Sequence, residues 1–328
     1  NLFERRINKM QKIKFTDIDG IKVGNAEDLE AATGCTVIIC EEGATAGVDV
    51  RGGSPGTRET DLLNPQNLVD KVHAVMLSGG SAFGLDAASG AMAYLEERNI
   101  GFDVQVTKVP IVCSAVLFDL VVGDYSVRPD FNMGYRACEN ASNEKCSSGN
   151  IGAGTGATIG KVLGLERAMK GGLGSCAFQI GDLQVGAIVA VNCLGDVIDP
   201  ETGEILAGLL DGDGKTLIGT ENILVENYDD KKNIFSGNTT IGVVATNGIF
   251  TKAETNKLAS MAHNGYARSI RPAHTIFDGD TIFTMATGKV EADINVVGLL
   301  AARAMERAVV DAIKSADSIY GLKAYGDF

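Results

Sequence analysis

Ser236-Gly237-Asn238-Thr239-Thr240-Ile241-Gly242-Val243-Val244-Ala245-Thr246-Asn247 passes from a small, polar, flexible tripeptide straight into a β-branched run headed by threonine. β-Branched side chains lose rotamer freedom in a helix and pack well on a pleated surface, so the run from 240 to 245 reads as a buried strand. By residue type alone, the residues before it are an ordinary loop. Comparable runs stand at 36–39, 46–50, 74–77, 185–191 and 281–285. The segment 175–199 reads as antiparallel, with hairpin turns at Gly181-Asp182 and at Leu194-Gly195-Asp196. Apolar residues spaced three and four apart predict helices over 82–97, 252–268 and 293–316. The last of these is apolar enough to pack against a sheet or a second subunit. Hairpin-bearing sheets with separate helices point to an α+β sandwich rather than a doubly wound parallel sheet.

Composition excludes several classes. Of 328 residues 41 are glycine, against a globular average of about 7%, yet only six are proline and 45% are hydrophobic. Such a chain is neither collagenous nor disordered; it folds with many tight turns. It contains no linker, low-complexity tract or repeat, so residues 1–328 read as one domain. A net charge of −13, with no basic block longer than a pair, argues against a nucleic-acid surface. The seven cysteines include no C-x-x-C pair, which fits reduced thiols in the cytoplasm. No apolar run approaches the roughly 18 residues of a membrane span, and no apolar segment follows the basic residues Arg5, Arg6 and Lys9 as a secretory signal requires. Met10 is the expected natural start.

Several glycine motifs imitate known sites. Gly152-Ala153-Gly154-Thr155-Gly156-Ala157 satisfies the dinucleotide fingerprint but follows a polar stretch rather than a strand, and reads as a glycine turn. Gly160-Lys161 is out of register for a phosphate loop, and Val162 stands where Ser or Thr belongs. Neither a cofactor nor a metal is expected; the three histidines form no metal-binding pair. Ser78-Gly79-Gly80-Ser81-Ala82-Phe83-Gly84 joins a strand to a helix and nearly spells a nucleophile elbow, with Phe83 in place of the last glycine. Ser81 is a weak nucleophile candidate; its loop reads as a capped helix start or as a place to bind substrate.

Taken together with Asp49-Val50-Arg51-Gly52-Gly53-Ser54-Pro55-Gly56, Gly149-Asn150-Ile151-Gly152-Ala153-Gly154-Thr155-Gly156, Lys170-Gly171-Gly172-Leu173-Gly174-Ser175 and Asp278-Gly279-Asp280-Thr281, the opening stretch resembles the P1 peptidase family. That family contains the L-aminopeptidase/D-esterases, the β-aminopeptidases and the nylon-oligomer hydrolases. The resemblance runs in order from about residue 19 to 321. It implies an αββα four-layer sandwich of the N-terminal-nucleophile, ornithine acetyltransferase-like type, and a precursor that cuts itself between Asn238 and Thr239 into chains 1–238 and 239–328. Thr239 would then be the nucleophile of an amide hydrolase acting on small peptides, amino-acid amides or esters, or ω-amino-acid oligomers.

A threonine hydroxyl needs a base, and the α-amine freed by the cut has a pKa of about 7.7 to 8.0, matched to neutral pH. The resemblance aligns Asp278 and Asp280 with an acidic pair beside the nucleophile; on a strand both would share one face, whereas Asp-Gly alone reads as a turn. Lys161 matches a lysine near the nucleophile in the nylon-hydrolase branch, and Asn192 the family's oxyanion-hole asparagine. Phe118 stands where many relatives carry tyrosine, so a phenolic hydroxyl near the substrate is missing; Phe118 and Ser81 are the substrate-binding candidates. Family members commonly form tetramers of processed heterodimers, so a homo-oligomer is expected. The rival readings are an acyltransferase of the ornithine acetyltransferase type and a non-catalytic glycine-rich binding protein.

Overall fold

The structure is a computed structural model that describes residues 10–229 and 237–328; residues 1–9, before the expected start at Met10, and Ser236 lie outside the described residues. Ten strands form the main sheet: β1 (Gln11–Ile13), β2 (Lys22–Asp28), β3 (Thr33–Val50), β4 (Thr57–Arg58), β5 (Lys71–Ser78), β6 (Val112–Val116), β7 (Gly172–Ile180), β8 (Leu183–Asn192), β9 (Thr239–Gly248) and β10 (Thr281–Val290). Five α-helices accompany them: α1 (Ala87–Glu96), α2 (Phe131–Glu139), α3 (Thr220–Glu226), α4 (Lys252–Ser269) and α5 (Ile294–Lys314).

The strand order is β1-β7-β8-β9-β10-β3-β5-β6-β4, with β2 also on β3. The two runs expected at 36–39 and 46–50 are one 18-residue strand. Its first half lies between β2 and β5, and its second half pairs with β10. The β3–β5 register shifts between Ile39 and Ala44, where Gly43 takes a left-handed φ of 76°. That break folds the sheet into two facing layers. Ile38, Leu77, Ala115 and Leu117 from one layer pack with Ala177, Ile188, Ile241, Val243 and Phe283 from the other. On the outer faces, α1 and α2 cover Val37, Ala74 and Met76, while α4 and α5 cover Val189, Val244 and Ile282. The result is the expected αββα order of four layers.

Strand β9 is buried along its whole length because both of its faces are covered, which is why its middle, Ile241 to Ala245, carries no polar side chain rather than alternating. Helix starts are chemically marked. Thr251 and Glu254 form a reciprocal capping box on α4, and Asp293 accepts from Asn295 N and Val296 N at the head of α5. Among the described residues no helix is long and apolar enough to cross a membrane.

Three local expectations change. The turn at 194–196 does not return as a hairpin, because β8 already has β7 and β9 on its two edges. Asp196–Ile198 instead joins a small sheet with Ile205–Ala207 and Ile270–Arg271. The helix expected from residue 82 begins as a 3-10 turn over Ser81–Asp86 and becomes α-helical only at Ala87. Helices α2 and α3 were not anticipated from spacing; each has fewer than ten residues, too few to show the repeat. The glycine turn at 152–156 is packed, not open: a Cβ on Gly154 would lie 2.1 Å from Leu173 N, and one on Gly156 2.0 Å from Ala32 O.

Phe283 is fully buried between the layers. Phe283→Ala is expected to cost about 3–5 kcal/mol, read as a lower urea midpoint with secondary structure retained below it.

Candidate active site

Strands β9 and β10 run parallel, with Ile241 opposite Thr281, and a further bridge joins Asn238 to Asp278 just before them. Antiparallel β8 sets its last residue, Asn192, opposite Thr239. Antiparallel β3 sets Val50 opposite Thr281, so the following loop folds across the same end of the sheet. Arg51 N donates to Asp280 O at 2.9 Å and Ser54 N to Asp278 O at 2.8 Å. A Cβ on Gly52 would lie 2.2 Å from Asp278 O, so only glycine permits this approach.

Thr239 is the first residue of β9 and is 5% exposed. Its hydroxyl donates to the carbonyl oxygen of Asn238, across the peptide bond that joins them. Gly279 N donates to the same oxygen at 3.0 Å. A Cβ on Gly279 would meet Thr239 Oγ1 at 2.7 Å. Asn238 is buried, and its side-chain Oδ1 and Nδ2 have no partner among the described residues.

Lys161 and Asn192 converge one residue upstream. Lys161 Nζ donates to Gly237 O at 3.2 Å, to Asn192 O at 3.0 Å and to Asn192 Oδ1 at 2.9 Å. Asn192 Nδ2 donates to Gly237 O at 3.2 Å and to Phe118 O at 3.1 Å. Thr158 N donates to Asn192 Oδ1 at 2.9 Å, which fixes which end of the amide faces the cleft. Burial lowers the Lys161 pKa from 10.5 to about 7. In the intact chain, therefore, the amide expected to serve an oxyanion engages the Gly237 carbonyl, not that of Asn238.

Asp278 and Asp280 are both 1% exposed, but they precede β10 rather than sharing a face of it. The chain is still in its connection here, because Gly279 turns its N–H to Asn238. Asp278 Oδ2 accepts from Thr275 N at 2.8 Å and Thr275 Oγ1 at 2.6 Å, leaving Oδ1 without a partner among the described residues. Asp280 accepts from Thr240 N and from His274 N, each at 2.9 Å. Burial, with the Asp278 charge beside it, pushes the Asp280 pKa up. Behind Asp280, His274 Nε2 lies 2.9 Å from His263 Nδ1, and His263 Nε2 lies 2.9 Å from Asp49 O.

Ser81 and Phe118 line one cavity of about 140 Å³ with Thr239, Asn238, Pro55 and Phe277. Ser81 is held there with a left-handed φ of 54°, its N–H on Leu117 O at 2.9 Å. Buried Asp119 accepts from Gly80 N and Thr33 Oγ1, each at 2.7 Å, tying the two wall segments together. The Gly279 N–H, Asp119 and the contact of His263 with His274 escaped the reading of residue types, in which either histidine could only be weighed as a base for Ser81; a backbone donor has no sequence signature and a lone aspartate or histidine carries no spacing. Among the described residues no group of three or more His, Cys, Asp or Glu side chains could hold a metal ion.

Comparison with known proteins bears on these residues. The sequence matches the profile of peptidase family S58 over residues 14–325. It is 41% identical to an uncharacterised aminopeptidase of Mycobacterium leprae, covering 94% of this chain and 92% of that one. It is 31% identical to a 6-aminohexanoate-oligomer endohydrolase of Kocuria sp., over 91% of this chain and 85% of that one. Among solved structures, the L-aminopeptidase D-Ala-esterase/amidase of Ochrobactrum anthropi, described as a variant of the Ntn hydrolase fold, superimposes with a TM-score of 0.71 at 19% identity, covering 95% of this chain and 90% of that one. A Pyrococcus horikoshii protein gives the same score at 21% identity, covering 98% and 92%. The reading as a non-catalytic binding protein is thereby set aside, and the chain belongs to peptidase family S58, as a hydrolase of peptide or amide bonds on an Ntn-hydrolase fold.

Proposed function

We propose that this protein is an autoprocessed amide hydrolase whose nucleophile is Thr239, released by its own cut after Asn238. The observation that carries this reading is the Thr239 hydroxyl lying against the carbonyl of Asn238 while the Gly279 N–H holds the same oxygen. A hydroxyl in that place can attack the carbonyl carbon, and a fixed backbone donor stabilises the charge that then develops on the oxygen. Lys161, which at neutral pH is in part uncharged, takes the hydroxyl proton; the Asn238 acyl group moves from nitrogen to Oγ1, and water resolves the ester.

The cut frees an α-amine on Thr239, and the unpartnered Asp278 Oδ1 is available to orient it, with Asp280 behind. Asn192 Nδ2 and Lys161 Nζ, which meet the Gly237 carbonyl in the intact chain, can serve an incoming substrate once the new chain end at Asn238 withdraws. The amine then acts as the base of each later turnover.

Intact-mass measurement is expected to find fragments 1–238 and 239–328 for the wild type and one whole chain for Thr239→Ala. A wild-type chain that stays whole yet hydrolyses amides would overturn the mechanism. The processing rate is expected to rise with pH and level off above about pH 7, because Lys161 accepts a proton only in its neutral form. Below that value the rate should fall about tenfold per pH unit, and Lys161→Met should slow the cut by about 10²-fold or more and remove the inflection. Gly279→Ala, which would press on Thr239 Oγ1, should slow processing while leaving the unfolding midpoint close to that of Thr239→Ala; processing at the wild-type rate would count against the need for the hydroxyl to lie where it does.

A further inference from the structure

The acids of the site sit in a connection rather than in a strand, and their position depends on what anchors that connection. Residues 272–277, just before Asp278, are half-buried or exposed. Within this stretch His274 takes a left-handed φ of 59°, which costs a residue with a side chain about 1–2 kcal/mol and persists only where the surroundings enforce it. Its N–H donates to Asp280 Oδ2 at 2.9 Å, while Asp280 Oδ1 accepts from Thr240 N at 2.9 Å. The Asp280 carboxyl group therefore bridges His274 to the head of β9, one residue from the Thr239 hydroxyl.

The anchor is the ring of His274. Its Nε2 lies 2.9 Å from Nδ1 of His263, a fully buried residue of α4 whose own Nε2 lies 2.9 Å from Asp49 O. Tyr266 packs edge-on against the His263 ring, with centroids 5.3 Å apart. Burial is the largest influence on both rings and lowers their pKa, while Arg51 on one side and Asp49 and Asp278 on the other act in opposite senses. A carbonyl only accepts, so a neutral His263 gives its one N–H to Asp49 O and receives the N–H of His274. Both partners lead back to Asp280. Two residues after Asp49, Arg51 N donates to the Asp280 carbonyl at 2.9 Å, and the Arg51 guanidinium reaches Ser260 O and Oγ on α4. A buried histidine with two satisfied nitrogens is ordinarily a packing feature. Here each nitrogen faces a segment that holds the same acid, one by its main chain and one by its side chain.

We infer that His263 and His274 are positioning residues of the site: joined through their rings, they hold the segment before Asp278 against α4 and β3, so that the His274 N–H keeps the Asp280 carboxyl group turned toward Thr240 N. The inference rests on the reading of Thr239 as the self-cutting nucleophile and adds to it two residues that touch neither the cut bond nor the nucleophile. Without the His263 ring, His274 loses the partner that fixes its side chain, and the buried Asp49 carbonyl and His274 N–H are left unpaired. The acid then shifts relative to the head of β9, and a small displacement of a positioned group is costly to a reaction that depends on alignment.

The test follows the self-cut itself, which needs no added substrate. Full-length wild type, His263→Leu, His263→Gln and His274→Gly are made by cell-free synthesis, so that each chain starts whole, and cleavage at Asn238 is timed by intact mass. His263→Leu keeps the bulk and loses both hydrogen bonds; it is expected to cut about tenfold more slowly or worse. A glutamine amide offers an N–H for Asp49 O and an oxygen for His274, so His263→Gln is expected to cut within about threefold of wild type. Glycine takes the left-handed φ without cost but has no ring, so His274→Gly is expected to be as slow as His263→Leu. Wild-type rates in both His263→Leu and His274→Gly overturn this inference and leave the Thr239 reading standing. His263→Gln as slow as His263→Leu also overturns it, since the ring's shape rather than its hydrogen bonds would then matter. If His263→Leu does not fold, the partly exposed His274→Gly decides alone: slow cutting with an unfolding midpoint near that of wild type supports the inference, and cutting at the wild-type rate overturns it. A wild-type chain that never cuts overturns the Thr239 reading and this inference with it.

Discussion

The parallel pairing of β9 with β10 is the constraint on which the site depends. Nearly every other pair in the main sheet is antiparallel, and an antiparallel partner would have carried Asp278 and Asp280 to the opposite end of β9. Parallel pairing brings two strand beginnings together, so the Asn238-Thr239 peptide bond lies beside the loop that leads into β10. The antiparallel neighbours on either side then contribute strand endings: Asn192 from β8 and the 51–54 loop from β3. In the facing layer β5 and β6 are also parallel, and their endings carry Ser81 and Phe118 into the same cavity. One end of a two-layer sheet thus collects six chain segments, and a single register fixes their mutual distances.

Crowding at that end explains where the glycines fall. Gly52 lies against the Asp278 carbonyl, Gly279 against the Thr239 hydroxyl, and a Cβ on Gly79 would lie 2.0 Å from Asp119 Oδ2. None of these three glycines is needed for a left-handed turn; each permits a backbone to approach another group. The same crowding removes water, and with it the solvation that keeps a lysine charged and a carboxylate ionised. That is why Lys161 loses basicity while Asp280 and Asp119 hold their protons more tightly, Asp119 to about pH 6.

The sequence was legible where a pattern repeats. The long helices α4 and α5 declare themselves by spacing, and the buried strands by their β-branched runs. The join of 36–39 to 46–50 was hidden because Glu41, Glu42 and Gly43 look like a turn, whereas the structure uses them to bend one strand between layers. At the site, the side chains carried over by resemblance are found together around Asn238 and Thr239, but their partners could not be read from the chain. Asn192 facing Gly237, the backbone donor of Gly279 and the off-strand position of Asp278 all follow from register and packing. Residue type says nothing about either.

The histidines show how far hydrogen-bond logic can go in assigning a base. A carbonyl only accepts, so the contact of His263 Nε2 with Asp49 O requires the proton on Nε2. Burial keeps the His263 ring neutral, which leaves its Nδ1 bare, and the donor in the 2.9 Å contact must then be His274 Nε2. That nitrogen is also the one 3.9 Å from Asp280 Oδ2, beyond hydrogen-bond range, and with its proton spent on His263 it offers the acid no lone pair. The third histidine, His73, is occupied in accepting from Ile111 N at 3.2 Å. His274 supports Asp280 through its backbone N–H, and the ring pair cannot take a proton on that side. In the proposed mechanism this leaves the buried amine of Lys161 for the first cut and the amine of Thr239 itself for every later one: burial brings the first toward neutrality, and an α-amine is there by its own chemistry, at about 7.7 to 8.0.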